Sequence, residues 1–138
     1  MKKYLLDTSL VAGYLLARKK AIQIISPLLE REEAATSLLV YGEVAEYVKQ
    51  FASFPQYRDS LQNLLEQVSP YPLTYSILER YADIRRELRP PHGKGLIGDI
   101  DTLIAATALE YNLTIVTIDH DFERVPHLKV QLVNLRAA

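Results

Sequence analysis

The sequence predicts an α/β fold: a central, mainly parallel sheet flanked by helices in three layers. Two observations carry this. Short apolar runs of strand character alternate with longer stretches of helical periodicity, and the connections between runs are long enough to hold those helices. Connections of that length bring strands side by side in parallel and cover both faces of the sheet. In addition, two of the runs end in an aspartate, the position from which loops at the carboxyl edge of a parallel sheet build sites.

The elements follow in order. Residues 4–6, Tyr-Leu-Leu, form a buried strand between Lys3 and Asp7. Thr8 or Ser9 caps the next helix, whose apolar face is Leu10, Val11, Tyr14 and Leu15. Ile22, Ile25, Leu28 and Leu29 continue helically, with Pro27 near a helix start or at a kink. Residues 34–37 read as a short second strand. Residues 39–51 repeat apolar positions at three and four, through Val40, Val44, Tyr47, Val48 and Phe51. Pro55 breaks the chain, and Leu61, Leu64, Leu65 and Val68 mark a helix from about residue 57. Pro70 and Pro72 bracket a turn or extended piece. Thr74 caps a helix built on Ile77, Leu78, Tyr81, Ile84 and Leu88. With three glycines and two prolines, residues 89–98 must be a loop. Residues 101–109 form a helix packed by small side chains, which Asn112 stops. Residues 114–118, Thr-Ile-Val-Thr-Ile, are the clearest buried strand, followed by Asp119; residues 130–133 form the last strand.

A chain of 138 residues with 49% hydrophobic composition is expected to form a single domain over residues 1–138. Lysine and arginine total 16 against 17 acidic residues, a net charge of -1, which argues against coating nucleic acid through overall charge but permits a local basic patch. No cysteine is present, which removes disulfides, thiolate catalysis and thiolate metal sites together. The basic, apolar N-terminus imitates a signal peptide, yet Asp7 interrupts it and Arg18, Lys19 and Lys20 stand where a small-residue cleavage site belongs. No run reaches the roughly 20 apolar residues of a membrane span. The expected location is the cytoplasm.

Four acids stand out. Asp7 and Asp119 each follow an apolar strand and emerge at the same sheet edge. Glu43 lies three residues after Val40 and four before Tyr47, on the partly apolar side of its helix, and Asp101 occupies the inward side of a helix start. Each also has an ordinary role open to it, as a strand-end cap, a salt-bridged helix residue, a first-turn acid or a turn former. Together they form a cluster of like charges that makes physical sense around a hard cation, and oxygen ligands favour magnesium or manganese over zinc. Phosphoryl transfer and phosphodiester hydrolysis use such a site.

The blocks that hold these acids are Leu-Leu-Asp7-Thr-Ser, Glu43 in the helix after the second strand, Ile-Gly-Asp-Ile-Asp101-Thr-Leu-Ile-Ala-Ala-Thr-Ala, and Val-Thr-Ile-Asp119-His-Asp-Phe-Glu-Arg-Val-Pro. In that order they resemble the PIN domain, and within it the VapC-type toxins of toxin–antitoxin pairs, over essentially residues 3–135. The resemblance implies a PIN-like three-layer domain and a Mg2+- or Mn2+-dependent endoribonuclease that cuts RNA. It further implies a homodimer held inactive by a cognate antitoxin protein. It assigns metal ligation to Asp7, Glu43 and Asp101, a fourth acidic place to Asp119, and supporting donor roles to Thr8, Ser9 and Thr117. Asp99 is an auxiliary charge beside Asp101, and the division of labour between Asp119 and Asp121 is open. The alternative is a catalytically inactive PIN-like module that binds RNA or protein.

Other residues carry less. His120 reads as an exposed turn histidine, and His92 and His127 as loop residues. Lys94 lies in a glycine-rich loop without the GxxxxGK[ST] pattern of a phosphate-binding P-loop. Arg80, Arg85, Arg86 and Arg89 either steer a polyanion or pair with Asp83 and Glu87 on a solvated helix face. Tyr41, Tyr47 and Tyr57 either stack on bases or pack at the core boundary. The Asp-Thr-Ser after the first strand is not the Asp-x-Asp-x-Thr of haloacid-dehalogenase-like phosphatases. The acidic pair and late lysine of a receiver domain are absent as well. Dimerisation is expected through the early helices, whose apolar positions exceed what a small sheet needs.

Overall fold

A computed structural model describes residues 1–136. Four strands, β1 (Tyr4–Leu6), β2 (Ala34–Ala35), β3 (Thr114–Thr117) and β4 (Lys129–Leu132), form one sheet in the order β2-β1-β3-β4, with every pair parallel. Six helices surround it: α1 (Thr8–Leu15), α2 (Lys19–Glu30), α3 (Leu38–Val48), α4 (Phe54–Val68), α5 (Tyr75–Leu88) and α6 (Asp99–Glu110). Successive strand residues point to opposite faces, and Leu5 with Leu6, like Ile115 with Val116, are all buried. Helices therefore cover both faces, the three-layer α/β arrangement that the alternation of elements predicts. Among the described residues, no helix is long and apolar enough to cross a membrane.

Several local features differ from expectation, each for a physical reason. The cap of α1 is Asp7, not Thr8 or Ser9: its backbone is extended and its carboxylate accepts the Thr8 N–H. Pro55 starts α4 instead of breaking the chain, because a first-turn proline forfeits no intrahelical hydrogen bond. Pro27 sits inside α2, whose buried Ala21, Ile25 and Leu28 keep the helix docked across it. Tyr71 is extended between its two prolines and bridges to Ser37, its carbonyl accepting the Leu38 N–H at 2.9 Å.

Helix α6 begins at Asp99, two residues early. There its arginine partners lie on the neighbouring helix: Arg85 contacts Asp99 at 2.8 Å and Arg80 contacts Glu110 at 2.7 Å, in place of the expected Asp83 and Glu87. Thr74 caps α5 as its sequence predicts. The loop after α5 needs Gly93, since a Cβ there would collide with the backbone of Glu87 and Leu88.

After β3 the chain makes a single 3-10 turn, His120–Arg124, anchored by Phe122, which is wholly buried. This side chain ties the loop bearing Asp119 and Asp121 to the core. Phe122→Ala is expected to lower the unfolding free energy by about 3–5 kcal/mol, read as a drop in urea midpoint, with Phe122→Leu intermediate.

Candidate active site

All strands run in one direction, so Asp7 after β1, Ser37 after β2, Asp119 after β3 and Asn134 after β4 lie toward one edge of the sheet. From β1 the chain goes to β2 on one side and later to β3 on the other. The strand order thus reverses between β1 and β3, where an α/β sheet opens a crevice.

Asp7 stands at that crevice with 6% of its surface exposed. Both of its oxygens are held: the Thr8 N–H donates to Oδ1 at 2.7 Å and the Thr117 hydroxyl to Oδ2 at 2.7 Å. The Thr117 oxygen meanwhile accepts the Asp119 N–H at 3.0 Å, which leaves its single proton for Asp7. Asp119 accepts the Asp121 N–H at 2.9 Å and so caps the 3-10 turn. Glu43, half-buried on α3, accepts the Thr8 hydroxyl. Asp101 is half-buried in the first turn of α6.

These acids act on one another. Burial pushes the Asp101 carboxyl from 3.8 up to about 6, helped by the charges of Asp7, Glu43, Asp119 and Asp121. Asp7 is also raised, first by burial and then by Glu43 and Asp119, against the lowering effect of its hydrogen bonds from Thr117 and Thr8. Among the described residues, none of the four acids forms an ion pair with a lysine or arginine. The Ser9 hydroxyl, buried beside them, has no hydrogen-bond partner. Carboxylate and hydroxyl oxygens with no cation among them are a donor set that suits a hard divalent ion. As the side chains stand, no group of three or more acids or histidines among the described residues is drawn together tightly enough to hold one.

A cavity of about 700 Å³ lies over the crevice. Asp7, Thr8, Ser9, Glu43, Asp101 and Asp119 line it, together with Ala12, Leu16, Tyr47, Ile118, Leu135, Arg18 and His120. Asp99 is not among them; exposed, it binds the Arg85 guanidinium at 2.8 Å and the Tyr81 hydroxyl at 3.1 Å. Asp121 is also exposed, 3.7 Å from Arg124, and reaches the group only through its charge. His120 is exposed, as its turn position predicts, with Nδ1 2.9 Å from Glu123.

Arg18, Ile118 and Leu135 carry no sequence signal for this cavity. Arg18 reads as one of three basic residues after an apolar run, and Ile118 as the last residue of a buried strand. In the structure β3 ends at Thr117 and Ile118 turns outward, 46% exposed. Only Tyr47, four residues after Glu43 on the same helix face, was accessible to pattern reasoning.

The sequence matches the PIN domain family over residues 4–128. This chain belongs to the PIN domain family. The fold is similar to that in VapBC2 from Rickettsia felis bound to a DNA fragment from its promoter, with a TM-score of 0.82 and 23% identity over 95% of this chain and 98% of that one. DNA-bound VapBC from Salmonella typhimurium gives a TM-score of 0.81 and 20% identity over the same shares. A toxin–antitoxin complex from Klebsiella pneumoniae gives 0.72 and 21% over 99% of this chain and 100% of that one. No curated protein matches this PIN domain by sequence.

Two outcomes follow from the geometry. Thr117→Val strands both Asp7 Oδ2 and the Asp119 N–H, and is expected to cost about 1–3 kcal/mol of stability in denaturant titration, most of it restored in Thr117→Ser. Folded Asp101 keeps its proton between 3.8 and about 6, where the unfolded chain releases it, so the stability of metal-free protein should fall as pH rises through that window and level off above it. Asp101→Asn should flatten this dependence and raise stability above pH 6 by about 1–2 kcal/mol, the full-burial figure of about 3 being reduced for solvent screening.

Proposed function

We propose that this PIN domain, acting as a single unit over residues 1–138, is a metal-dependent endoribonuclease that hydrolyses RNA phosphodiester bonds. The observation that carries the proposal is the group of four acids without a cationic partner at the strand-order reversal, with Asp101 pushed up to about 6 by burial and its neighbours. Such a group is costly unless a cation relieves it. Mg2+ or Mn2+ is the ion its oxygen donors fit, with Asp7, Glu43, Asp101 and Asp119 as the residues that would hold it. When bound, such an ion supplies charge neutralisation at the phosphate and activation of water.

The protein's own contribution is orientation. Asp7 is held at both oxygens and cannot swing, Thr8 aligns Glu43, and Thr117 ties the end of β3 to the end of β1. Hydrolysis adds water across a P–O bond, the attacking oxygen losing a proton and the leaving oxygen gaining one. The crevice is open enough to admit the reacting phosphate beside the carboxylates, with Ala12, Leu16 and Leu135 as an apolar wall.

The similarity to toxin–antitoxin complexes supports a toxin role in the cytoplasm, with a cognate antitoxin as partner. A homodimer is part of the same proposal. Its best support lies away from the early helices: Leu38, Leu73, Tyr75 and Leu78 are exposed near the stacked Tyr71 and Tyr111 rings, whose centroids are 3.9 Å apart. A second reading, a PIN-like module that binds RNA or protein without cutting, is favoured by the absence of a ready-formed metal cluster among the described residues.

Incubating purified protein with total cellular RNA, with Mg2+ or Mn2+ supplied and then chelated, separates the two. The ribonuclease produces metal-dependent fragments, and Asp7→Asn or Asp101→Asn reduces the rate about 100-fold or more while the fold persists. Asp99→Asn, which removes only the partner of Arg85 and Tyr81, is expected to stay within about tenfold of wild type. Equal turnover in all three variants would end the metal-site proposal, and metal-independent binding without fragments would favour the module.

A further inference from the structure

We infer that a second hollow next to the acid-lined cavity binds a backbone phosphate of the RNA neighbouring the one that is cut, with Arg18 and Arg136 as its anchors and the Ile118–Leu135 ridge as the seat of the nucleotide between. The inference rests on the ribonuclease proposal and assigns substrate contacts that it leaves open.

The hollow has a volume of about 540 Å³ and lies at the end of β4, where Asn134 and Arg136 continue the chain past the sheet edge. It adjoins the first cavity: Arg18, Ile118, His120 and Leu135 line both. The chemistry changes sign between them. Four acids line the cavity over β1 and β3, whereas among the described residues no carboxylate lines the hollow beside β4, which carries the guanidiniums of Arg136 and of Arg18, the latter shared with the cavity.

Arg31, Arg58, Arg80, Arg85 and Arg124 each have an acidic partner; among the described residues Arg18 and Arg136, like Arg86 and Arg89, have none, and of these four only Arg18 and Arg136 line the hollow. A planar guanidinium left without a carboxylate, in a concave setting, matches a phosphate's oxygens in a way that a lone lysine does not. The base of Arg18 is braced as well: α1 passes so close at Gly13 that a Cβ there would lie 3.3 Å from Leu135 Cδ1 and 3.7 Å from Arg18 Cδ. His120 is already engaged with Glu123, so the arginines carry the charge.

Ile118, 46% exposed although it follows three buried residues of β3, lines both hollows. An outward apolar side chain at that point suits the face of a base or ribose whose phosphates lie on either side.

The test uses full-length protein and short single-stranded oligoribonucleotides lengthened one nucleotide at a time at either end. Binding is measured over a salt series with metal chelated, and cleavage with Mg2+ or Mn2+. Wild-type affinity should step up when the added phosphate reaches the hollow, and that step should vanish in Arg18→Ala and Arg136→Ala. Each variant should flatten the log–log salt dependence by about 0.7, the value for one phosphate contact on a single strand. KM should rise about tenfold in the double variant with kcat nearly unchanged. Arg18→Lys and Arg136→Lys should retain the slope, which separates lost contact from lost folding. Lys129→Ala, which removes the same charge at the opposite end of β4, should leave all of these readings at the wild-type value. Wild-type cleavage with KM and slope unchanged in both alanine variants would overturn the hollow alone. A wild type that neither binds nor cuts any RNA would overturn the hollow and the ribonuclease proposal together.

Discussion

The parallel pairing of β1 with β3 is the contact on which the other features of the site depend. Leu5 and Ile115 are register partners across more than a hundred residues of intervening chain, so no local preference holds them together. Closing a loop of that length costs entropy that grows only slowly with length, and burial of both faces of both strands offsets it. Because the pairing is parallel, the two strands end together. The polar link from Asp119 through Thr117 to Asp7 is built directly onto that end and cannot form unless the register is right. A slip of one residue would send Thr117 to the other face of the sheet.

That register works against the electrostatics it creates. It brings acids from the ends of β1 and β3 and from α3 and α6 toward one crevice, where burial and the neighbouring charges raise the carboxyls of Asp101 and Asp7. The core around them is apolar and closely covered: Leu6, Leu10, Val40, Ile104 and Val116 are all essentially inaccessible. The same core that holds the acids in place also desolvates them. Hydroxyls at Thr8 and Thr117 compensate in part by donating to Glu43 and Asp7, and they do so without adding positive charge. An arginine in their place would satisfy the acids permanently and leave nothing for a cation to relieve.

Much of this was legible in the sequence. The strand-then-acid pattern at Asp7 and Asp119 points to one sheet edge, and helical periodicity gives Glu43 and Asp101 an inward side, but spacing leaves each acid an ordinary role as well; it is the structure that brings the four to line one cavity. What spacing does not contain is partnership between distant side chains. Asp99 and Asp101 differ by two positions, about 200° around a helix, and only the structure shows that Arg85 and Tyr81 occupy the first. The place of Pro55 and the cap of α1, expected at Thr8 or Ser9 and found at Asp7, differ for a related reason: a proline or a small polar residue marks a helix boundary without saying which side of the boundary it stands on. Ile118 shows the limit most clearly, since a strand's hydrophobic run does not reveal that its pairing stops one residue early.

Charge balance ties the acid cavity to its surroundings. The chain as a whole carries a formal charge of -1 and offers a polyanion no general attraction. The cavity itself, with four acids, repels phosphate until a cation reverses its sign locally. If the substrate is the RNA strand proposed above, positive charge flanking the cavity would offset that repulsion. The arginines of α5 do not supply it in full, because Arg80 and Arg85 are engaged with Glu110 and Asp99 on α6. Arg18 and Arg136 border a hollow that shares lining residues with the cavity. On the ribonuclease proposal, their placement would let repulsion at the acids and attraction beside them act on different phosphates of one strand, aligning the strand before the reacting phosphate meets the carboxylates.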